Sequence, residues 1–191
     1  MENSDPWKIH ETCVYYVPDI SKINTGKYKP AMAGFDLDGT LIKSNCLKQP
    51  VSPTDWNFSS PNVIQTLQQT FSNGYYICIF TNQIRFTSLI RTKIDNIRQT
   101  LESNGIFPFI FISTKYDKYR KPDTGMFRLF LGILQQNLPI QIDIQNLQSL
   151  SFYVGDAVGS TSHNPAYQWS DSDFKFAGSC GVRFYTPDQL F

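Results

Sequence analysis

A chain of 191 residues, 41% hydrophobic and 15% aromatic, can bury the core of one domain and is too apolar for a disordered segment. Its net charge of +1 excludes a global field that draws in nucleic acid, so any basic surface must be local. The apolar runs fall far short of the ~20 residues that cross a bilayer, and the polar start, Met1 to Lys8, lacks a signal-peptide pattern. The expectation is a monomer inside the cell, nuclear or cytoplasmic, neither secreted nor in a membrane. Of the four cysteines, Cys13, Cys46, Cys78 and Cys180, none forms a C-x-x-C pair, which argues against zinc. Cys13 and Cys78 read as reduced core residues. The two histidines, His10 and His163, stand in no partner motif.

In chain order, Thr12 to Val17 is a β-rich run closed by Pro18, an edge strand or hairpin ahead of the core. A polar connector, Ser21 to Pro30, leads to an apolar run, Ala31 to Phe35, which reads as a short buried strand. Ile42 to Ser60 reads as irregular, with Trp56 packed at the domain edge or, alternatively, forming a base-stacking wall. Ser60-Pro61 has the form of a cap and first helical residue, and Val63, Ile64, Leu67 and Phe71 follow at helical spacing until Asn73-Gly74. Tyr75 to Phe80 is a continuous apolar run, hence a buried parallel strand, ending at Thr81-Asn82-Gln83.

Ile90, Ile94, Ile97 and Leu101 mark the next helix, stopped by Asn104-Gly105. Arg91, Lys93 and Arg98 are expected on its solvated face. Phe107 to Ile112 is another strand. Pro122 is expected to open a helix running through Met126, Phe130 and Ile133, which would place Lys121 at a helix N-terminus, where backbone N–H groups favour an anion. Leu138 to Leu150 reads as a connector, Ser151 to Val154 as a strand leading to Gly155-Asp156, and Ser160 to Phe191 as loop-rich. Strands alternating with helices imply a three-layer α/β fold with a central parallel sheet.

The chemistry concentrates in Phe35-Asp36-Leu37-Asp38-Gly39-Thr40. In an extended chain, residues i and i+2 share a face, so Asp36 and Asp38 can enter one crevice at a strand's C-terminal end. One carboxylate can coordinate Mg²⁺ and attack phosphorus while the other protonates the leaving oxygen. Here the sequence resembles the haloacid dehalogenase (HAD) superfamily of aspartate-nucleophile phosphatases. That resemblance implies three further sites in order: a strand-end Ser or Thr, a Lys, and a strand-end acid. Thr81, Lys121 and Asp156 stand at those places. Only 44 residues separate Asp36 from Thr81 and 39 separate Thr81 from Lys121, so neither interval has room for a cap domain. An uncapped site admits the end of a polymer.

More specifically, Gly34 to Ile42, Ser52-Pro53-Thr54-Asp55-Trp56, Phe80-Thr81-Asn82-Gln83, Arg120-Lys121-Pro122 with Gly125-Met126, and Val154-Gly155-Asp156-Ala157 with Gly159 resemble the 3′-phosphatase domain of polynucleotide kinase 3′-phosphatases. Ser172-Asp173, Phe176-Ala177, Gly181 and Thr186-Pro187 extend the likeness, so that it runs from about Trp7 to Phe191. Three positions depart from the pattern. Ile84-Arg85-Phe86 replaces a common Gly-Ile-Gly, Phe174 replaces an Arg, and Ser160 replaces another. No G-x-x-x-x-G-K-[ST] phosphate loop is present, so no kinase half is expected.

The resemblance implies a Mg²⁺-dependent 3′-phosphatase of DNA ends, working in repair as one HAD-like domain over 1–191, with 1–30 as its extension. Asp36 would be the nucleophile and Asp38 the acid and base. Thr81 and Lys121 would hold the phosphate. Asp36, Asp156 and the backbone carbonyl of Asp38 would hold the metal, with Asp173 in a secondary role. Thr81, Asn82, Arg85, Lys118 and Arg120 are the candidate substrate contacts. A phosphatase of small metabolites and a non-catalytic DNA-end module are the alternatives.

Overall fold

The computed structural model describes residues 5–23, 30–45, 52–137, 142–160 and 162–191. Cys46 and most of the connector before the organising strand lie outside them. The chain opens with the hairpin β1 (Lys8–His10) and β2 (Cys13–Tyr16), then a short helix, α1 (Ile20–Ile23), and the central strand β3 (Met32–Phe35). A two-stranded ribbon, β4 (Ile42–Lys43) and β5 (Asn57–Phe58), precedes α2 (Val63–Ser72), β6 (Tyr76–Asn82), α3 (Ser88–Ser103) and β7 (Phe109–Ser113). Then come α4 (Gly125–Asn137), α5 (Ile144–Leu150), β8 (Phe152–Val154), α6 (Ser172–Cys180), β9 (Arg183–Tyr185) and α7 (Pro187–Leu190).

The seven-stranded sheet has the order β1-β2-β7-β6-β3-β8-β9. It is parallel from β7 to β9, and the hairpin adds two antiparallel strands at one edge. The alternation within each strand sorts residues onto two faces with different textures. Tyr76, Phe80, Phe109, Phe111 and Tyr153 point to one face and meet Phe130 of α4 and Phe176 of α6. Ile77, Ile79, Ile110, Ile112 and Val154 point to the other and meet Val63 and Leu67 of α2 and Ile94, Ile97 and Leu101 of α3. Phe80 stacks on Phe111 with centroids 5.3 Å apart, and the Phe130 ring stands edge-on to Phe109 at 5.3 Å. Each such side chain, taken from water, contributes about 1.5–3 kcal/mol. Cys13, Cys78 and Cys180 are free and buried, and burial pushes the Cys13 thiol up to about 12.

Several expected boundaries move. Residues 42–60 are not wholly irregular, because β4 and β5 pair Ile42 with Phe58. Trp56 packs at the domain edge, its ring T-shaped to Phe58 at 5.4 Å. The α2 helix starts at Val63 rather than Pro61, and its N-cap Asn62 donates to the Phe191 carbonyl at 2.9 Å instead of capping its own helix. The α4 helix starts at Gly125, so Pro122 does not open it and Lys121 is not at a helix N-terminus. Residues 117–124 instead form turns closed by Arg120 N–H to the Asp117 carbonyl at 2.9 Å and Gly125 N–H to the Lys118 carbonyl at 3.0 Å. The expected connector contains α5, whose N-terminus is capped by the Asp143 carboxylate. The C-terminal part is not loop-rich, since it carries α6, β9 and α7. Among the described residues, no helix is long and apolar enough to cross a membrane.

Candidate active site

The register of three strands assembles the site. Phe35 pairs with Ile79 on one side and Val154 on the other. The residues just beyond, Asp36, Thr81 and Asp156, therefore emerge along one sheet edge. The helix between β3 and β6, α2, covers one face of the sheet and the helices just before β8, α4 and α5, cover the other, the kind of switch at which open α/β sheets form their crevices. A cleft of about 430 Å³ lies there, its lining including Asp36, Asp38, Thr81, Asn82, Lys121 and Asp173.

The floor is one shared network. Lys121 Nζ donates to Asp36 Oδ1 at 2.5 Å, Asp173 Oδ1 at 2.7 Å and the Tyr153 hydroxyl at 2.8 Å. Tyr153 in turn donates to Asp173 Oδ1 at 3.0 Å, and the Ala157 N–H donates to Asp173 Oδ2 at 3.0 Å. The Lys121 backbone is gripped by Asn82, whose Oδ1 accepts from Lys121 N–H at 3.0 Å and whose Nδ2 donates to the Lys121 carbonyl at 3.1 Å. Asn82, expected to touch substrate, thus spends its amide on holding Lys121. Two glycines let the acids approach. A Cβ on Gly39, whose φ is 90°, would collide with the Asp156 carboxylate, and one on Gly155 would sit 2.5 Å from Asp173 Cβ.

Electrostatics on the floor are unbalanced. Asp36, Asp156 and Asp173 are buried, with one carboxylate oxygen of each within 4.8 Å of the others, around a single ammonium. Burial pushes the Asp36 carboxyl well up, aided by Asp173 and Asp156 and opposed by Lys121. Asp156 is pushed up to about 6, again by burial first and then by Asp173. For Lys121, burial disfavours the charge, but Asp173 and Asp36 outweigh it and raise its pKa. A buried acid cluster with excess negative charge fits a divalent cation, and because both Asp173 oxygens already accept hydrogen bonds, Asp36 and Asp156 are the carboxylates left to meet it.

The mouth of the cleft is built differently. The Asp38 carboxylate lies outside the carboxylate trio and is about half exposed. Its Oδ1 accepts from Lys93 Nζ at 2.9 Å and its Oδ2 from Gln83 Nε2 at 2.6 Å. Gln83 also donates to the Thr81 hydroxyl at 2.9 Å. Arg120 lines the cleft, with its guanidinium 4.5 Å from the Tyr116 ring centroid. Among the described residues its buried Nη1 has no hydrogen-bond partner. Trp169, 69% exposed, also lines the cleft and donates its indole N–H to Asp156 Oδ2 at 3.3 Å.

Two candidates are not brought into the cleft. Arg85 is exposed on the turn after β6 and does not line it. Lys118 turns to the hairpin tip and pairs with Glu11 Oε1 at 2.9 Å. Lys93 and Arg98 also correct the expectation of a solvated face, since both are buried. Arg98 bonds Asp95 at 2.9 Å and Glu102 at 2.7 Å and lies over the Tyr16 ring, locking α3 to the hairpin. The spacing held the signal. Lys93 stands three residues after Ile90 and four before Ile97, and Arg98 four after Ile94 and three before Leu101, so both border the apolar stripe. Gln83, Tyr153 and Trp169 were also missed as site residues. Gln83 is the last residue of a quoted motif, whereas nothing local marks the other two.

The profile of the polynucleotide kinase 3 phosphatase family matches residues 31–191. The chain belongs to this family. A relative, the uncharacterized 20.8 kDa protein of the FGF-VUBI intergenic region of Autographa californica nuclear polyhedrosis virus, is 34% identical over 176 residues, covering 88% of this chain and 89% of that one. The polynucleotide 3′-phosphatase ZDP of Arabidopsis thaliana is 29% identical over 202 residues, and the bifunctional polynucleotide phosphatase/kinase of Schizosaccharomyces pombe 34% over 179. These alignments take in 97% and 90% of this chain but span 27% and 40% of those relatives. The D,D-heptose 1,7-bisphosphate phosphatase of B. bronchiseptica, solved with magnesium and phosphate, superimposes with a TM-score of 0.59 at 18% identity over 84% of each chain, which places the fold among HAD-like phosphatases.

Proposed function

We propose that this chain is a Mg²⁺-dependent polynucleotide 3′-phosphatase that removes the terminal phosphate from DNA 3′ ends, in end processing for repair. Residues 1–191 act as one domain, with 1–30 as its extension. The observation that carries the reading is the Asp36–Lys121 pair on the floor of a cleft with no cap among the described residues. Among the described residues, the interval from Asp36 to Thr81 holds β4, β5, α2 and most of β6, and that from Thr81 to Lys121 the end of β6, α3 and β7. Family membership supports the choice of a polynucleotide over a small metabolite.

Asp36 suits the nucleophile. Lys121 orients one of its oxygens, and among the described residues the other carries no hydrogen bond. Attack on phosphorus forms an aspartyl-phosphate, an acyl phosphate, on Asp36 while the bond to the 3′ oxygen breaks and that oxygen takes a proton from Asp38. Asp38 then removes a proton from water, which attacks phosphorus, so that the products are inorganic phosphate, a 3′-hydroxyl and regenerated Asp36. Lys121 and the Thr81 hydroxyl hold phosphoryl oxygens and offset developing charge. Asp36, Asp156 and the Asp38 carbonyl would hold Mg²⁺, which supplies charge neutralisation when a phosphate meets a carboxylate. Asp173 acts through Lys121. Arg120 meets the strand's backbone, with Arg85 farther out.

The test is kcat/KM for an oligonucleotide 3′-phosphate, its 5′-phosphate isomer and a sugar phosphate. A 5′ end would run the sugar in the opposite sense and misplace its leaving oxygen relative to Asp38, and ~1 Å of misplacement costs on the order of 100-fold. Equal rates on the two DNA ends, or preference for the sugar phosphate, would favour a metabolite phosphatase.

A further inference from the structure

Lys93 is the feature of the cleft that the catalytic scheme leaves unused. Its side chain is 5% exposed, enclosed on α3 beside buried Ile94 and Ile97, yet its ammonium reaches a carboxylate that is 46% exposed. Burying an ammonium is costly, and a partner half in water returns only part of that cost. The pair is therefore poorly explained as a stabilising bridge. Geometrically it completes a clamp, because Lys93 takes Oδ1 of Asp38 and Gln83 takes Oδ2. Gln83 also binds the Thr81 hydroxyl, so the clamp ties the proton-transfer carboxylate to the phosphate-holding end of β6. Asp38 sits just past the end of β3 beside Gly39, with about half of its side chain open to water.

We infer that Lys93, with Gln83, is a positioning residue that fixes the Asp38 carboxylate for proton delivery to the leaving oxygen. This rests on the 3′-phosphatase reading. It predicts a loss that depends on the leaving group. A 3′ alkoxide needs Asp38's proton as it departs, whereas the 4-nitrophenolate of an aryl phosphate leaves without one. The quantity to compare is kcat/KM, which reports only steps through departure of the leaving group, the first irreversible one, and not the later hydrolysis of the acyl phosphate on Asp36 that all substrates share.

The experiment uses the full chain and three substrates: 4-nitrophenyl phosphate, a 3′-phosphorylated dinucleotide and a longer 3′-phosphorylated oligonucleotide. For Lys93→Met, which keeps the stem and removes the donor, kcat/KM should fall about 10-fold or more on both nucleotides and under about 3-fold on the aryl phosphate. Gln83→Ala should show the same selectivity with smaller size, and it carries the test if Lys93→Met fails to fold. Equal losses on all substrates would reduce the clamp to a structural contact and overturn the inference. A loss confined to the longer oligonucleotide would make Lys93 a strand contact and overturn it as well. Wild-type protein inert toward both nucleotides would remove the 3′-phosphatase reading and the inference together, whereas an active wild type with unchanged selectivity in both variants would remove the inference alone.

Discussion

Lys121 and Lys93 are both buried lysines, and each reaches an aspartate of the same short motif, yet they occupy opposite kinds of ground. Lys121 meets Asp36, Asp173 and Tyr153, all buried, in one shared network that opens to the cleft at Asp36. Among the described residues Lys93 pairs with the half-exposed Asp38 at the cleft mouth, where the second holder is a neutral amide. The floor is preorganised because moving any member strands a buried charge. The mouth is held by one buried ammonium and one neutral amide on a carboxylate that water still reaches, which suits a group that must give up a proton and take one back. One sheet edge thus carries a rigid region for phosphorus and a looser one for the leaving group.

The largest effect expected of this contrast lies on the floor. Asp36→Asn should lower kcat on a 3′-phosphorylated oligonucleotide by at least about a thousandfold, because an amide is a poor nucleophile. A variant retaining a tenth of the wild-type rate would break the covalent scheme. Chelation probes the charge imbalance directly. EDTA should abolish turnover and Mg²⁺ restore it, while Ca²⁺, with its looser and higher-coordinate shell, should not substitute. Full activity in EDTA would remove the metal from the floor.

The sharpest separation of the two lysines is in stability. Lys121→Met leaves Asp36 and Asp173 buried without their cation and should cost about 3–5 kcal/mol, a drop in Tm on the order of 10 °C. Lys93→Met leaves its carboxylate open to water and should cost under about 1 kcal/mol. Denaturant unfolding of the two variants side by side measures this, and equal costs would erase the distinction. The smallest effect belongs to the outer mouth. Arg120→Ala should raise KM for the oligonucleotide about 3–10-fold, with little change for an aryl phosphate, and should flatten the salt dependence of binding. A matching change on the aryl phosphate would instead place Arg120 on the transferred phosphoryl group.

The positions of Asp36, Thr81 and Asp156 were legible in the sequence because each follows an apolar run that can only be a buried strand. The motifs around them have short-range meaning. The same holds for the central strands and for α2 and α3, whose periodicity is strong. The C-terminal elements were not legible, since α6 is nine residues with a polar start and β9 is three residues, one exposed and two half-buried, so their packing partners rather than their own pattern define them. The sequence placed Lys121 correctly in order but for a reason the fold does not use. Its backbone is set by Asn82, 39 residues away, and not by a helix terminus. Which cations are buried, which acids share an ammonium and which one is clamped at the mouth are all products of long-range contacts, such as Lys93 with Asp38 across 55 positions and Lys121 with Asp173 across 52. Local sequence determines strands, helices and the residue types that chemistry requires. Only the packed sheet, by closing those distances and excluding water, decides the charge environment in which each of them works.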